Sequence, residues 1–342
     1  MFDYHRFFLD NGLEVIVHED SSSKIAVFNL LYKVGSRFEK PGKTGLAHFF
    51  EHLMFGSSAH VAEFDRELER VGGSCNAFTS PDITNYYMTL PSSNLETAFW
   101  LESDRMAHLS LTEKTIETQR KVVLEEYKQR YLSPPYGDVW HHLRRLTYEV
   151  HPYRWPTIGA NLADIEGYTR DMIWEFYQEH YHPGNAILVV AGDVTQKEVA
   201  RLAEKWFGPI PSKKKSSSPI LVEPVQIQKK SLEIQAKVPT DALYKVFKMP
   251  AKGELGYLEA DLISDLLGGG KSSPLEQRLV QWPAWSLPAP LPRPGNHDLN
   301  YPAWFEGTWQ VSSHDLSGHQ ADISYTVRFH NFYTTPFTGS PI

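Results

Sequence analysis

The chain is predicted to be an α+β protein of two domains. Strand-like and helix-like segments are mixed along it without strict β–α–β alternation. Its composition, 41 % hydrophobic and 22 % charged, is that of a soluble globular protein. Its 342 residues can bury a large core and exceed the usual size of one domain.

The elements follow in order. Phe7–His18 reads as a hairpin, because Asn11-Gly12 supplies a tight turn. Ile25–Val34 is a second strand. Residues 44–54 form a helix: Pro41, Gly42, Gly45 and Gly56 punctuate its ends, and Thr44 is its expected N-cap. Leu46, Phe49, Phe50, Leu53 and Met54 would cover most of its surface. Phe64–Val71 is a short helix, and Asn76–Leu90 holds two strands around Pro81-Asp82. Leu95–Met106 and Glu113–Tyr131 are helices. Leu132–Gly137 breaks the pattern, and aromatics and histidines gather in His151–Gly159. Met172–His180 is helical, Ile187–Ala191 a buried strand, and Val199–Phe207 a helix.

His48-Phe49-Phe50-Glu51-His52 carries the chemistry. One helical turn separates the histidines, so both imidazoles point the same way and can share one Zn²⁺. Glu51 lies beside His52 and can serve as general base toward a water held at the metal. The order H-x-x-E-H is the inverzincin motif. Catalytic zinc usually takes a third protein ligand. The candidates are Glu125 and Glu126, in the helical stretch Arg120–Lys128. Their side chains project about 100° apart, so only one can face the metal, and periodicity does not choose between them.

Other classes are excluded or made improbable. A net charge of −7 argues against nucleic acid, and one cysteine, Cys75, allows no internal disulfide. Cys75 has no base paired with it in the sequence and reads as a small strand residue. No apolar run reaches the length of a membrane span. Met1–Arg6 has acid and no apolar core of a secretory signal, which predicts a cytoplasmic protein of bacterial type. Gly270-Lys271-Ser272 is not a P-loop, because Asp265 stands where its first glycine must be. His141, His142, His151, His180 and His182 read as structural or exposed histidines.

Four motifs in order now resemble one family. They are His48–His52; Gly73–Ser80 with Thr84–Tyr87; Val123-Leu124-Glu125-Glu126; and Asn185–Asp193. Gly268–Ser273 extends the match into a second domain, so that it runs from about residue 5 to 280. The chain resembles the pitrilysin-type (M16) metallopeptidases, which include insulin-degrading enzyme and the mitochondrial processing peptidase. The resemblance implies a two-layer sheet-and-helix domain followed by a second of the same kind. It implies that Glu126, 74 positions after His52, is the third ligand of a single Zn²⁺ per chain. It implies that Asn76, Ala77, Phe78 and Thr79 belong to an edge strand whose backbone pairs with a peptide substrate. It also allows an M16-type partner subunit or a homodimer. Many members have a glutamate seven residues before the ligand glutamate; here Gln119 stands there, which removes a charge but keeps a hydrogen-bonding group.

The expected division is a zinc-binding catalytic domain over 1–211, a linker over 212–229 rich in Ser and Lys, and an incomplete second domain over 230–281. A proline-rich linker covers 282–300, and a β-rich tail of unassigned kind covers 301–342. Lys230–Val238 is expected to be a strand and Tyr257–Leu267 a helix. Gly307-Thr308-Trp309 resembles the opening strand of lipocalin-like barrels, and Tyr325–Phe332 alternates like another strand. Two or three strands cannot close a barrel. The change of text after Gln281 points to a fusion, a frameshift or a gene fragment. Three functions follow: a zinc-dependent endopeptidase, an inactive or partner-dependent M16-like subunit, or a ligand-binding module in the tail.

Overall fold

The computed structural model describes residues 3–213, 221–239, 241–269, 308–313 and 323–328. They fall into two compact units, Met1–Val246 and Phe247–Ile342. Among them no helix is long and apolar enough to cross a membrane.

The first unit is built on a six-stranded sheet. In chain order its strands are β1 (His5–Phe8), β2 (Glu14–Glu19), β3 (Ile25–Tyr32), β4 (Ser74–Thr79), β5 (Thr84–Pro91) and β6 (Ala186–Gly192). In space the order is β1-β2-β6-β3-β5-β4. Only β2 and β6 run parallel; the other pairs are antiparallel. Gly12 at φ +86° makes the β1–β2 turn, and Asn11 Nδ2 donates to Phe207 O (2.7 Å) and Ile210 O (3.0 Å), tying that turn to the end of a distant helix.

The period-two pattern of the strands decides which face is covered. Val15, Val17, Ala26, Phe28, Leu30, Tyr32, Tyr86, Met88, Leu90, Leu188 and Val190 are buried on one face. Val27 and Tyr87, at alternate positions, are exposed on the other. The helices supply the second layer. They are α1 (Leu46–Leu53), α2 (Phe64–Arg70), α3 (Leu95–His108), α4 (Glu113–Tyr127), α5 (Val139–Thr147), α6 (Leu162–Glu166), α7 (Arg170–His180) and α8 (Gln196–Trp206). Phe28 meets Phe99 of α3 edge-on at 5.0 Å, and Phe50 of α1 stacks on Tyr181, just beyond α7, at 4.9 Å.

Arg105 of α3 is fully enclosed in this core. It makes a two-pronged ion pair with Glu102 (2.7 and 2.5 Å), and its guanidinium lies 4.4 Å from the ring centres of both Phe64 and Tyr86.

Three departures from the sequence reading have local causes. The expected helix Glu113–Tyr131 is α-helical only to Tyr127; Lys128–Leu132 continues it as a wider π turn. α5 and α6 flank the aromatic- and histidine-rich stretch His151–Gly159 and were not expected; α6, at five residues, is too short to show a helical period. Lys230–Val238 forms no strand. A strand exists only by pairing, and no described strand borders this segment; Leu232 and Ile234 are exposed.

In the second unit, α9 (Tyr257–Gly268) is a helix whose Leu258, Leu262 and Leu266 are exposed, and β7 (Thr308–Ser313) pairs antiparallel with β8 (Ile323–Arg328). The predicted strand at Tyr325–Phe332 thus starts two residues earlier, at Ile323, and its residues 329–332 lie outside the described residues. The proline-rich segment 282–300 and residues 270–273 of the Gly268–Ser273 motif lie outside the described residues.

Candidate metal centre

α1 presents His48, Glu51 and His52, while Leu46, Phe49, Phe50, Leu53 and Met54 are buried. Its start is fixed from outside the helix. The N-cap is Gly45, at φ +93°, rather than the expected Thr44. A side chain at Gly45 would meet Ile158 O at 2.5 Å, so only glycine permits this approach. The buried carboxylate of Glu39 accepts from Gly45 N (2.7 Å) and Ala47 N (2.8 Å), satisfying two of the free helix donors. Thr44 is used differently. Its hydroxyl donates to Asp164 (2.5 Å) and accepts from Ala160 N (2.7 Å), while its carbonyl accepts from Tyr168 OH (2.5 Å). The start of α1 is thereby clamped to α6.

The third side chain comes from α4, which packs against α1. Glu126 Oε2 lies 3.2 Å from His52 Nε2 and 3.7 Å from His48 Nε2. Of the two glutamates, Glu126 is the one that faces the histidines. Glu125 points away, with its side chain 59 % exposed near Lys128. Arg130, on the π turn, takes the other oxygen, Oε1, at 3.1 Å. Gln119 is half-buried and two turns before Glu126, hence on the same face of α4.

The donor set suits zinc. Three ligand atoms at Zn–N and Zn–O lengths of ~2.0–2.2 Å in tetrahedral array stand roughly 3.4 Å apart. The three donors here all lie within 4.8 Å of one another. Their charge states agree with this. Burial holds His48 at about 4, so its ring is neutral and has a lone pair to give. The hydrogen bond from His52, with the charge of Arg130, holds Glu126 below its ordinary value against the effect of burial. His48 Nδ1 is buried without a hydrogen-bond partner among the described residues. Packing against the His52 ring, edge-on at 4.8 Å, orients it instead.

Glu51 stands apart from these three side chains. Thr79 Oγ1 donates to its Oε2 at 2.5 Å, and burial raises its pKa against the pull of that bond. Thr79 ends β4, the outer strand of the sheet. Asn76 and Phe78 of β4 expose their side chains; Ala77 and Thr79 are half-buried. Ala77 N donates to Asn76 Oδ1 (2.8 Å), so this N–H points away from β5 toward the open edge.

Two contributors escaped the sequence reading. The Thr79 hydroxyl was visible only as part of a strand, and Arg130 could have been found four residues after Glu126. The remaining histidines behave as expected. His141 Nε2 bonds Tyr127 OH (2.9 Å), His142 pairs with Asp138 (3.1 Å), and His151 Nδ1 accepts from Tyr153 N (3.1 Å). Cys75 lies against Asp65, and burial pushes its thiol up to about 12, so it is no nucleophile.

An H-x-x-E-H helix facing a glutamate helix beside an open sheet edge defines the inverted class of metallopeptidase folds. Comparison with known proteins makes this specific. Residues 14–160 match the family described as Insulinase (Peptidase family M16), and residues 167–284 match Peptidase M16 inactive domain. Zinc protease PqqE of Helicobacter pylori is 36 % identical over 278 residues, covering 80 % of this chain and 62 % of that protein. The crystal structure of a protease from Helicobacter pylori superposes with TM-score 0.71 at 33 % identity, over 82 % of this chain and 68 % of that one. The probable mitochondrial-processing peptidase subunit beta of Arabidopsis thaliana is 28 % identical over 215 residues, covering 62 % of this chain and 40 % of that protein. The chain belongs to peptidase family M16. It spans 62–66 % of the length of the first curated relatives. The second family description begins at residue 167, inside the sheet-bearing unit.

Proposed function

We propose that the chain is a zinc-dependent endopeptidase acting on peptides or unfolded polypeptides, with one Zn²⁺ held by His48, His52 and Glu126. The convergence of these three donors beside an uncoordinated, half-buried Glu51 carries the reading. Zinc, when bound, lowers the pKa of a water and polarises the scissile carbonyl.

The chain's own residues supply the rest. Glu51 Oε2 is held by Thr79, which leaves Oε1 to take a proton from the attacking water and pass it to the leaving amine. Burial raises the Glu51 pKa toward the range where a base can both accept and return a proton near neutral pH. Asn76–Thr79 would add an extended substrate as a further strand, with the Ala77 N–H as an outward donor. The experiment is metal analysis together with cleavage of an unstructured peptide. Zinc-loaded protein that cleaves, and loses cleavage on chelation, supports the reading; zinc-loaded protein without turnover in any subunit combination rejects it.

A second reading is a subunit that needs a partner. It is supported by the exposed apolar side chains Val222, Val225 and Ile227 in the first unit and Leu255 and Leu258 in the second. The partner would be another M16-type chain or a second copy. Activity that appears only on mixing separates this reading from the first.

A further inference from the structure

A second group of metal-ligating side chains lies outside this centre. His60, Asp104 and His108 each offer one ligand atom, a ring nitrogen or a carboxylate oxygen, and these atoms lie within 4.8 Å of one another. We propose that they form a second metal site, for a divalent transition ion that takes two imidazoles and one carboxylate. Nothing in the chemistry proposed at His48, Glu51, His52 and Glu126 uses these residues.

Local structure preorganises the site. Asp104 and His108 are four residues apart on α3, so both side chains leave the same face of its last turn. His60 belongs to the loop after α1, and main-chain bonds dock that loop on the end of α3. Ala59 N donates to His108 O (3.0 Å), and Ser110 N donates to Ser57 O (3.0 Å). The two imidazoles meet edge-on, 5.3 Å between centres.

Asp104 is the fixed member. Its side chain is 6 % exposed, against 64 % for His60 and 54 % for His108. Its Oδ2 accepts from the Ser58 hydroxyl and from His60 N (3.2 Å). That leaves Oδ1 facing His60 Nδ1 at 2.5 Å and His108 Nδ1 at 3.4 Å. Despite burial, the bonds from Ser58 and His60 hold this carboxyl below its ordinary value, so it is anionic at neutral pH.

The donor types decide the ion. Two imidazoles disfavour calcium and magnesium, which prefer all-oxygen sites, and suit zinc, cobalt, nickel or copper. Binding would replace the proton between His60 Nδ1 and Asp104 Oδ1, and that proton would go to solvent. Both histidines are exposed, so the remaining coordination positions are open to water. Such an ion would pin the loop to α3 as a surface staple and not as a second catalytic centre.

The test is cobalt(II) titration of the metal-stripped chain, followed by equilibrium dialysis and visible absorption. Wild type is expected to bind two ions per chain. A His60→Ala/His108→Ala variant should bind one, and a His48→Ala/His52→Ala variant should bind one. Asp104 is left intact because it also holds the loop. Circular dichroism verifies that each variant is folded, and wild type against His60→Ala/His108→Ala decides the matter alone. Equal binding by those two would overturn the second site. One ion in wild type, lost in His60→Ala/His108→Ala and kept in His48→Ala/His52→Ala, would instead support this site and reject the peptidase metal centre.

Discussion

Glu51 is set by two opposed influences. Burial raises its pKa, and the 2.5 Å bond from Thr79 pulls it down. If it is the base and no ligand, Glu51→Gln should keep about one zinc per chain and lower cleavage by roughly 10²–10⁴-fold. Zinc lost together with activity would make it a ligand. His52→Ala should leave two donors and strip the metal, because two protein ligands hold catalytic zinc poorly. Metal analysis that finds equal zinc in His52→Ala and wild type refutes the ligand set. The same measurement on Glu125→Gln and Glu126→Gln should show loss only for Glu126. The helix pair His48 and His52 was legible because both ligands sit one turn apart on one element. Periodicity alone did not choose Glu126 over Glu125, since a 100° difference between neighbours means nothing until α4 is docked on α1; only the family resemblance named it. Thr79 touches the Glu51 carboxylate from another segment, and a linear pattern carries no mark of that; Arg130, four residues after Glu126, did leave one.

At the scale of elements, α1 is held at its start by the buried carboxyl group of Glu39. The strands and most helices were readable from periodicity, but this anchor was not, because Glu39 lies outside the helix and acts through backbone donors. Burial pushes Glu39 up to about 8, against the pull of those two N–H bonds. The folded chain therefore holds a proton that an ordinary carboxyl, near 4.5, has released. The associated stability is fully present below about 4.5 and is lost as pH rises through about 8. Thermal melts of wild type and Glu39→Gln should diverge in favour of the glutamine variant between pH 5 and pH 9. A gap that does not change over this range would mean that the carboxylate is ionised throughout.

The outer strand offers a separate test. Ala77 N–H points to the open edge and not to β5. Proline there removes a donor without removing a ladder bond. Ala77→Pro is therefore expected to retain zinc and raise KM about tenfold for an extended peptide, the equivalent of one net hydrogen bond. An unchanged KM would show that substrate does not pair at this position.

For the whole molecule, the issue is what covers residues 221–269. A stable domain leaves few contiguous apolar side chains in water. Yet Val222, Val225 and Ile227 are 87–89 % exposed, and Leu255 and Leu258 are 75–77 % exposed. Glu223 lies among them and fixes one point of the segment, accepting from Glu149 N (2.8 Å), Val150 N (3.0 Å) and His151 N (2.9 Å). The neighbouring apolar groups are therefore presented from a tethered stretch. Hydrolysis also needs more than metal chemistry, because the peptide must be held in register against it. The first unit carries the proposed metal ligands and the proposed pairing edge. The chain alone is thus expected to bind zinc, to run above monomer mass in light scattering, and to turn over peptide weakly. Adding an M16-type subunit with its own second domain should raise turnover. A strictly monomeric protein with robust turnover would show that the exposed apolar segment is irrelevant to activity and that the metal centre and the β4 edge suffice.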